Sequence, residues 1–343
     1  TVDPDGNAHS DPVSVLERKI SAGEVNQSFD PEWGYLPSVL EQLDIPVASQ
    51  ALVFSKSSFQ QDRISPAAPR ALYFNDDTYV GWVQGGDFVE IIAVDPRSGP
   101  RFFTLGQQPG GRPLFERQTT ACLLCHESLS PAAVVPGLLV LSVLPDANGH
   151  SAGPLPYPIT DQTPLEKRWA GWYVSGTHGE GRHMGNVFVP EPIPGVGNGP
   201  ENFRSVDFDE GANVTELNTR FDTRPYLTPH SDIVALMVLV HQTDVHNLMA
   251  RASQGVRTAM EANSGDVASV VRSVGETLVR GMFFVDAAPL TGRVSGTSDF
   301  AAEFSDRGLR DGQGRSLRDL DLEDRLLRYP LSYLVYSDAF DAM

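Results

Sequence analysis

Lysine is almost missing from this chain. Of its 26 basic residues only Lys19, Lys56 and Lys167 are lysines and the rest are arginines; with 44 carboxylates the formal net charge is -18. That balance argues against nucleic-acid binding, which needs clustered Lys and Arg to neutralise phosphates. An anionic membrane surface would repel the chain for the same reason. Acidic self-repulsion keeps such a surface soluble, as in the Arg-rich, acidic proteins of salt-adapted organisms, and an electrostatically steered partner should present a basic face. Long apolar runs are missing too. The most apolar stretch, AAVVPGLLVLSVL (132–144), is broken by Pro136 and Gly137. It is too short to cross a bilayer, so it predicts a buried strand or pair of strands and no membrane span. Repeats of the solenoid kind are absent. With two cysteines in 343 residues, no disulfide framework is available. The chain opens TVDPDGNAHS, without a charged-then-apolar leader, which reads as a mature terminus after signal removal or as a trimmed chain.

What is present describes a globular protein. Hydrophobic content of 41% and aromatic content of 9% supply ample material for one large domain or two medium ones. DPVSVLERKISAGEVNQ and PEWGYLPSVLEQLDIP predict short helices, the second ended by Pro46. From residue 51, short β-branched and aromatic runs (QALVFSK, RALYFN, TYVGWVQ, DFVEIIAVD, RFFTLG) alternate with Pro, Gly, Asn and Asp. They predict a small antiparallel sheet over 50–105, with Gly85-Gly86 as a two-residue hairpin turn. The stretch FERQTTACLLCHES predicts a short helix. Residues 145–228 are rich in Pro and Gly, as functional loops on a scaffold often are. A long buried helix follows, with Thr228 as N-cap and Pro229 at its first position. A second, amphipathic helix over DVASVVRSVGETLVRGMFF and a closing helical segment broken at Pro330 complete the chain. The fold class is therefore α+β: a helical segment and small antiparallel sheet over 1–115, a loop-rich middle over 116–227 and a helical part over 228–343, joined as one integrated unit.

The middle region, 116–227, contains Cys122-Leu-Leu-Cys125-His126, and if it binds one haem c, this motif is its anchor. Two cysteines placed at random seldom fall three apart, and still less often with a histidine next. A structural zinc site wants four ligands, and no second cysteine pair or spaced histidine pair accompanies this one. A redox dithiol wants a helix start after a strand in a βαβ unit, and has no use for the histidine. Covalent attachment of one haem c uses every part of the spacing. Each thiol bonds one vinyl group along a single porphyrin edge, and His126 projects beneath the ring to reach the iron. Both thiols are consumed, which accounts for a cysteine count of two.

CLLCH matches the signature of c-type cytochromes. Beyond it, FSKSSFQQDRISP, RALYFNDDTYVGWVQGGD, PLEKRWAGWYVSGTHGEGRHMGN and RYPLSYLVYSDAF are similar to a family of bacterial single-haem cytochrome-c-domain proteins, a resemblance that covers most of the chain. It implies a haem and a periplasmic or extracellular home, since attachment of this kind is performed outside the cytoplasm. The chain departs from small class I cytochromes: it is far larger, has a sheet before the motif, and lacks a long N-terminal helix.

The chemistry of the iron depends on its second axial position. GTHGEGRHMGN offers His178, His183 and Met184, with Met184 58 residues beyond His126 and glycines that let backbone approach a flat ring. Met184 is preferred over His183 as the second metal ligand, and Arg182 is a candidate partner for a haem propionate. The buried helix carries Met237, His241, His246 and Met249, of which His241 is the fallback. DPDGN, FNDDT and PDANGH lack calcium-loop spacing and read as turns. GQQPGGRP and GVGNGP lack a nucleotide fingerprint, and no Ser-His-Asp set follows from residue order. The function read from these residues is a one-electron carrier; the alternatives are a haem enzyme with an open axial position and peroxidase-like or other small-oxidant chemistry, and a haem-carrying subunit of an oligomer or larger redox assembly.

Overall fold

The computed structural model describes residues 10–110, 113–128, 135–153, 155–189, 206–262 and 267–343. The β-rich runs form β1 (Ala51–Val53), β2 (Arg70–Phe74), β3 (Thr78–Trp82), β4 (Phe88–Asp95), β5 (Gly99–Gly106) and β6 (Phe115–Gln118). Each pairs antiparallel with the next. Further on, β7 (Leu141–Ser142) and β8 (Tyr157–Pro158) make a short separate pair, whereas β9 (Trp172–Tyr173) returns to the edge of β1. The result is a seven-stranded sheet in the order β6-β5-β4-β3-β2-β1-β9. The architecture is α+β, with this sheet in the N-terminal part and the long helices in the C-terminal part.

The turn at Gly85-Gly86 is longer than its glycines suggest. Gly81 pairs with Glu90, and residues 83–87 form a five-residue connection with Gly85 at φ +63°. The Gln60 side chain fills it: its amide oxygen accepts from Asp87 N–H at 2.8 Å and its NH2 donates to the Phe88 carbonyl at 3.0 Å. A two-residue turn would leave those groups unmet.

Alternate residues send the two sheet faces to different cores. One face, through Tyr73, Val80, Val89, Ile91, Phe103 and Leu105, packs on α1 (Pro12–Ser21) and α2 (Leu36–Gln42). Asp11 caps α1 by accepting from Ser14 N–H at 2.8 Å and forms a buried ion pair with Arg101 at 3.2 Å. The helix expected over FERQTTACLLCHES is confined to α3 (Leu123–Ser128), because Phe115 is buried beside Leu105 and takes its segment into the sheet as β6.

The other face packs through Phe74, Tyr79 and Val94 onto α4 (Ile233–Glu261), with α5 (Val267–Met282) lying against α4. By length and composition α4 could cross a bilayer; in this fold its most apolar window is 78% buried and serves as the core helix. It starts later than the sequence suggests. The N-cap is Asp232, whose carboxylate accepts from Val234 N–H at 2.8 Å and from Thr297 and Ser298 N–H, each at 2.8 Å. Thr228 and Pro229 lie before it: the Gln50 side chain donates to the Thr228 and His230 carbonyls, holding that stretch against the sheet. After α6 (Phe300–Asp306) the C-terminal segment is mostly turns, with α7 (Asp338–Asp341) its only α-helix among the described residues. Its aspartates explain the difference. Asp319 and Asp321 accept backbone N–H bonds from Ser316, Glu323 and Asp324, a local alternative to helix.

Candidate functional site

The cysteine motif runs from the turn at Cys122 into α3, which carries Cys125 and His126, at the end of the sheet face shared with α4. His126 N–H donates to the Cys122 carbonyl at 3.2 Å, so the two residues are stacked one helical turn apart with Cys125 beside them. Both thiols are free, Cys122 part-buried and Cys125 exposed. Burial raises the Cys122 thiol pKa, with the Glu90 charge adding to the effect.

His126 is held from two sides. Its Nδ1 lies 2.6 Å from the Gly137 carbonyl, and Gly137 N–H donates back to the His126 carbonyl at 2.9 Å. The next residue is clamped in turn: Asn247 on α4 accepts from Leu138 N–H and donates to its carbonyl, both at 2.8 Å. Phe102 of β5 packs on the imidazole at 4.6 Å, and burial lowers the His126 pKa. Nδ1 is therefore the protonated nitrogen, and among the described residues nothing bonds Nε2. A neutral imidazole, with one nitrogen tied to a carbonyl and the other carrying an unused lone pair, is the form a metal-ligating histidine takes. Two reduced thiols one turn away complete a donor set that fits haem c.

The loop residues proposed for the second axial position lie elsewhere. Met184 N–H donates to the Arg168 carbonyl and Asn186 N–H to that of Trp172, which fixes this loop beside β9. The motif packs on β5, five strand steps away, about 24 Å along the sheet at about 4.8 Å per step. Met184 is buried with Leu144, Ala152, Ala170 and Val189, its sulfur 3.5 Å from the Tyr157 hydroxyl. His183 Nδ1 accepts from Gly185 N–H at 3.0 Å, which puts the ring proton on Nε2, the wrong tautomer for ligation through that atom. Burial lowers its pKa to about 3. His178 lies against it at 4.8 Å and accepts from Asn213 N–H. Arg182 is a surface residue paired with Asp209 at 3.2 Å. The structure thus brings Cys122, Cys125 and His126 together and keeps Arg182, His183 and Met184 apart from them.

The four candidates on the core helix are all buried, and of their imidazole nitrogens only His246 Nδ1 is without a partner among the described residues. His246 lies 2.7 Å from the Asp76 carbonyl, and burial holds its pKa to about 4. Met237 and Met249 are packed in the main core. His241 has both nitrogens engaged, Nδ1 with Asp161 Oδ2 at 2.6 Å and Nε2 with Ser332 Oγ at 2.8 Å. That is an Asp-His-Ser relay, invisible in residue order and assembled by the fold. It is sealed: His241 and Ser332 are 0% exposed, Phe284 stacks on the imidazole at 4.2 Å, and the Ser332 hydroxyl also accepts from Leu334 N–H. A hydroxyl that no substrate can reach acts as a structural tie.

One feature beside the motif escaped sequence reasoning. The Arg70–Glu90 ion pair, 3.2 Å apart and largely buried, occupies the same sheet face, and both charges act on Cys122 and His126. Its signal was Gly81, a glycine inside a strand where no turn requires one, which marks a close approach by another group.

Comparison with protein-family models, with curated proteins and with solved structures finds no match. What the chain does must be argued from its own residues.

Proposed function

We propose that this protein is a single-haem c-type redox protein of the periplasm or extracellular space, with Cys122 and Cys125 as covalent anchors and His126 as the axial ligand. The observation that carries the reading is the His126 imidazole, pinned through Nδ1 to Gly137 and left with Nε2 unused among the described residues. When bound, haem c supplies a one-electron iron couple. The chain's part is to hold the proximal imidazole in one tautomer and orientation, through a tie that runs from Gly137 and Leu138 to Asn247 on the core helix. Cys125 is exposed, which suits electron exchange with a partner, and the net charge of -18 favours a partner with a basic face.

Two forms of this function remain, a one-electron relay and a haem enzyme. The placement of Met184 and His183 beside β9 favours the second, because it removes the two loop candidates for a second ligand, and an iron with that position open reacts with small oxidants. Carbon monoxide separates them. The open form is expected to give a high-spin ferrous spectrum that shifts on adding the gas. A low-spin ferrous spectrum indifferent to carbon monoxide would overturn it in favour of the relay. Assembly into a larger redox complex is tested by concentration-dependent sedimentation.

A further inference from the structure

Resting on the single-haem reading, we propose that Arg70 is the residue that pairs with a haem propionate, and that Gly81 exists to let it lie there. The sheet register places it. Ile92 pairs with Phe102, the residue on which His126 packs, and one step along the same face Glu90 lies between Gly81 and Thr104, with Leu72 beyond Gly81. Arg70 is two residues before Leu72 and so shares that face. Its guanidinium lies over Gly81, where an added Cβ would come 2.7 Å from both Nε and Nη2.

The guanidinium is under-used where it lies. Nη2 meets Glu90 at 3.2 Å and Nη1 reaches the Ser57 carbonyl only at 3.4 Å. Nε is buried with no partner. Guanidinium offers five donors and pairs carboxylates in a two-pronged fashion, so an unpartnered Nε–H and a long Nη1 contact leave donors for a second carboxylate once the side chain turns. Glu90 is independently secured: its Oε1 accepts from the Ser58 hydroxyl at 2.9 Å and from Phe59 N–H at 3.2 Å. It can therefore keep its place when Arg70 turns toward a propionate. Arg182, the residue the sequence suggested for this role, is exposed and paired with Asp209.

The expected effects follow from charge. A cation near the iron disfavours the more positive, oxidised state, so Arg70 raises the midpoint potential and Glu90 lowers it. Removing the cation also lets the propionate take up a proton more easily, which couples the potential to pH. The test uses holoprotein matured with covalent haem, with potentials measured across the neutral pH range. In Arg70→Gln, haem stays attached, the potential falls and a new pH dependence appears; Arg70→Lys recovers part of the loss. Gly81→Ala, which pushes the guanidinium off the sheet, shifts the potential in the same direction, and Glu90→Gln shifts it upward. A merely structural Arg70 would change stability while leaving the potential and its pH profile at wild-type values, and that result would overturn the assignment. If Arg70→Gln does not fold, Gly81→Ala and Glu90→Gln carry the test. Wild-type protein that acquires no covalent haem refutes the parent reading instead, a separate outcome.

Discussion

Replacing His241 by alanine is expected to destabilise the fold by about 3–5 kcal/mol, measured by urea denaturation. The imidazole is fully buried and joins three remote segments: α4, the loop carrying Asp161 and the C-terminal stretch carrying Ser332. Truncation takes the imidazole from the part-buried Asp161 carboxylate and from the buried Ser332 hydroxyl, which keeps only its Leu334 N–H bond. It also opens a cavity against Phe284 and Tyr333, whose rings pack on the imidazole at 4.2 and 6.0 Å. Against a total stability of about 5–15 kcal/mol, such a loss leaves a marginal protein. Ser332→Ala keeps the Asp161 bond and should cost about 1 kcal/mol. A His241→Ala loss as small as that of Ser332→Ala would mean that the tie carries little of the fold.

His126→Ala is expected to change the haem spectrum more than any other single substitution. The two sulfur bonds would still hold the ring, but the iron would lose its only protein ligand on that side, and added imidazole should restore much of the original spectrum. The strength of this expectation comes from the mounting. An imidazole oriented by the Gly137 carbonyl on one edge and packed against the tilted Phe102 ring has little freedom to bind elsewhere, and the carbonyl makes it a more basic donor. Asn247→Ala should act in the same direction but weakly, by loosening Leu138. A His126→Ala spectrum identical to wild type would show that another residue holds the iron.

Much of the fold was legible because its signals are local. The alternating runs from Ala51 onward gave the sheet, and the continuous apolar stretch from Ile233 gave the core helix. Errors fell where a distant side chain decides the outcome. Gln50 holds the Thr228 and His230 carbonyls and so delays the start of α4, and Gln60 stretches a tight turn into a longer one. Neither effect leaves a trace in local sequence. The same division runs through the site. Cys122, Cys125 and His126 are neighbours in sequence and stay together in space. The second-ligand reading rested on counting residues between His126 and Met184, and spacing along the chain says nothing of how many strands intervene. The Asp161, His241 and Ser332 contact and the place of Arg70 depend on long-range register alone.

The most direct measurement is the mass of the denatured, intact chain after secretion in a cell that matures c-type haem. The account predicts polypeptide plus one haem, with the pigment remaining on the protein through acid extraction and lost when both Cys122 and Cys125 are replaced by alanine. A wild-type chain weighing no more than its amino acids, or one whose colour leaves with the solvent, would contradict it.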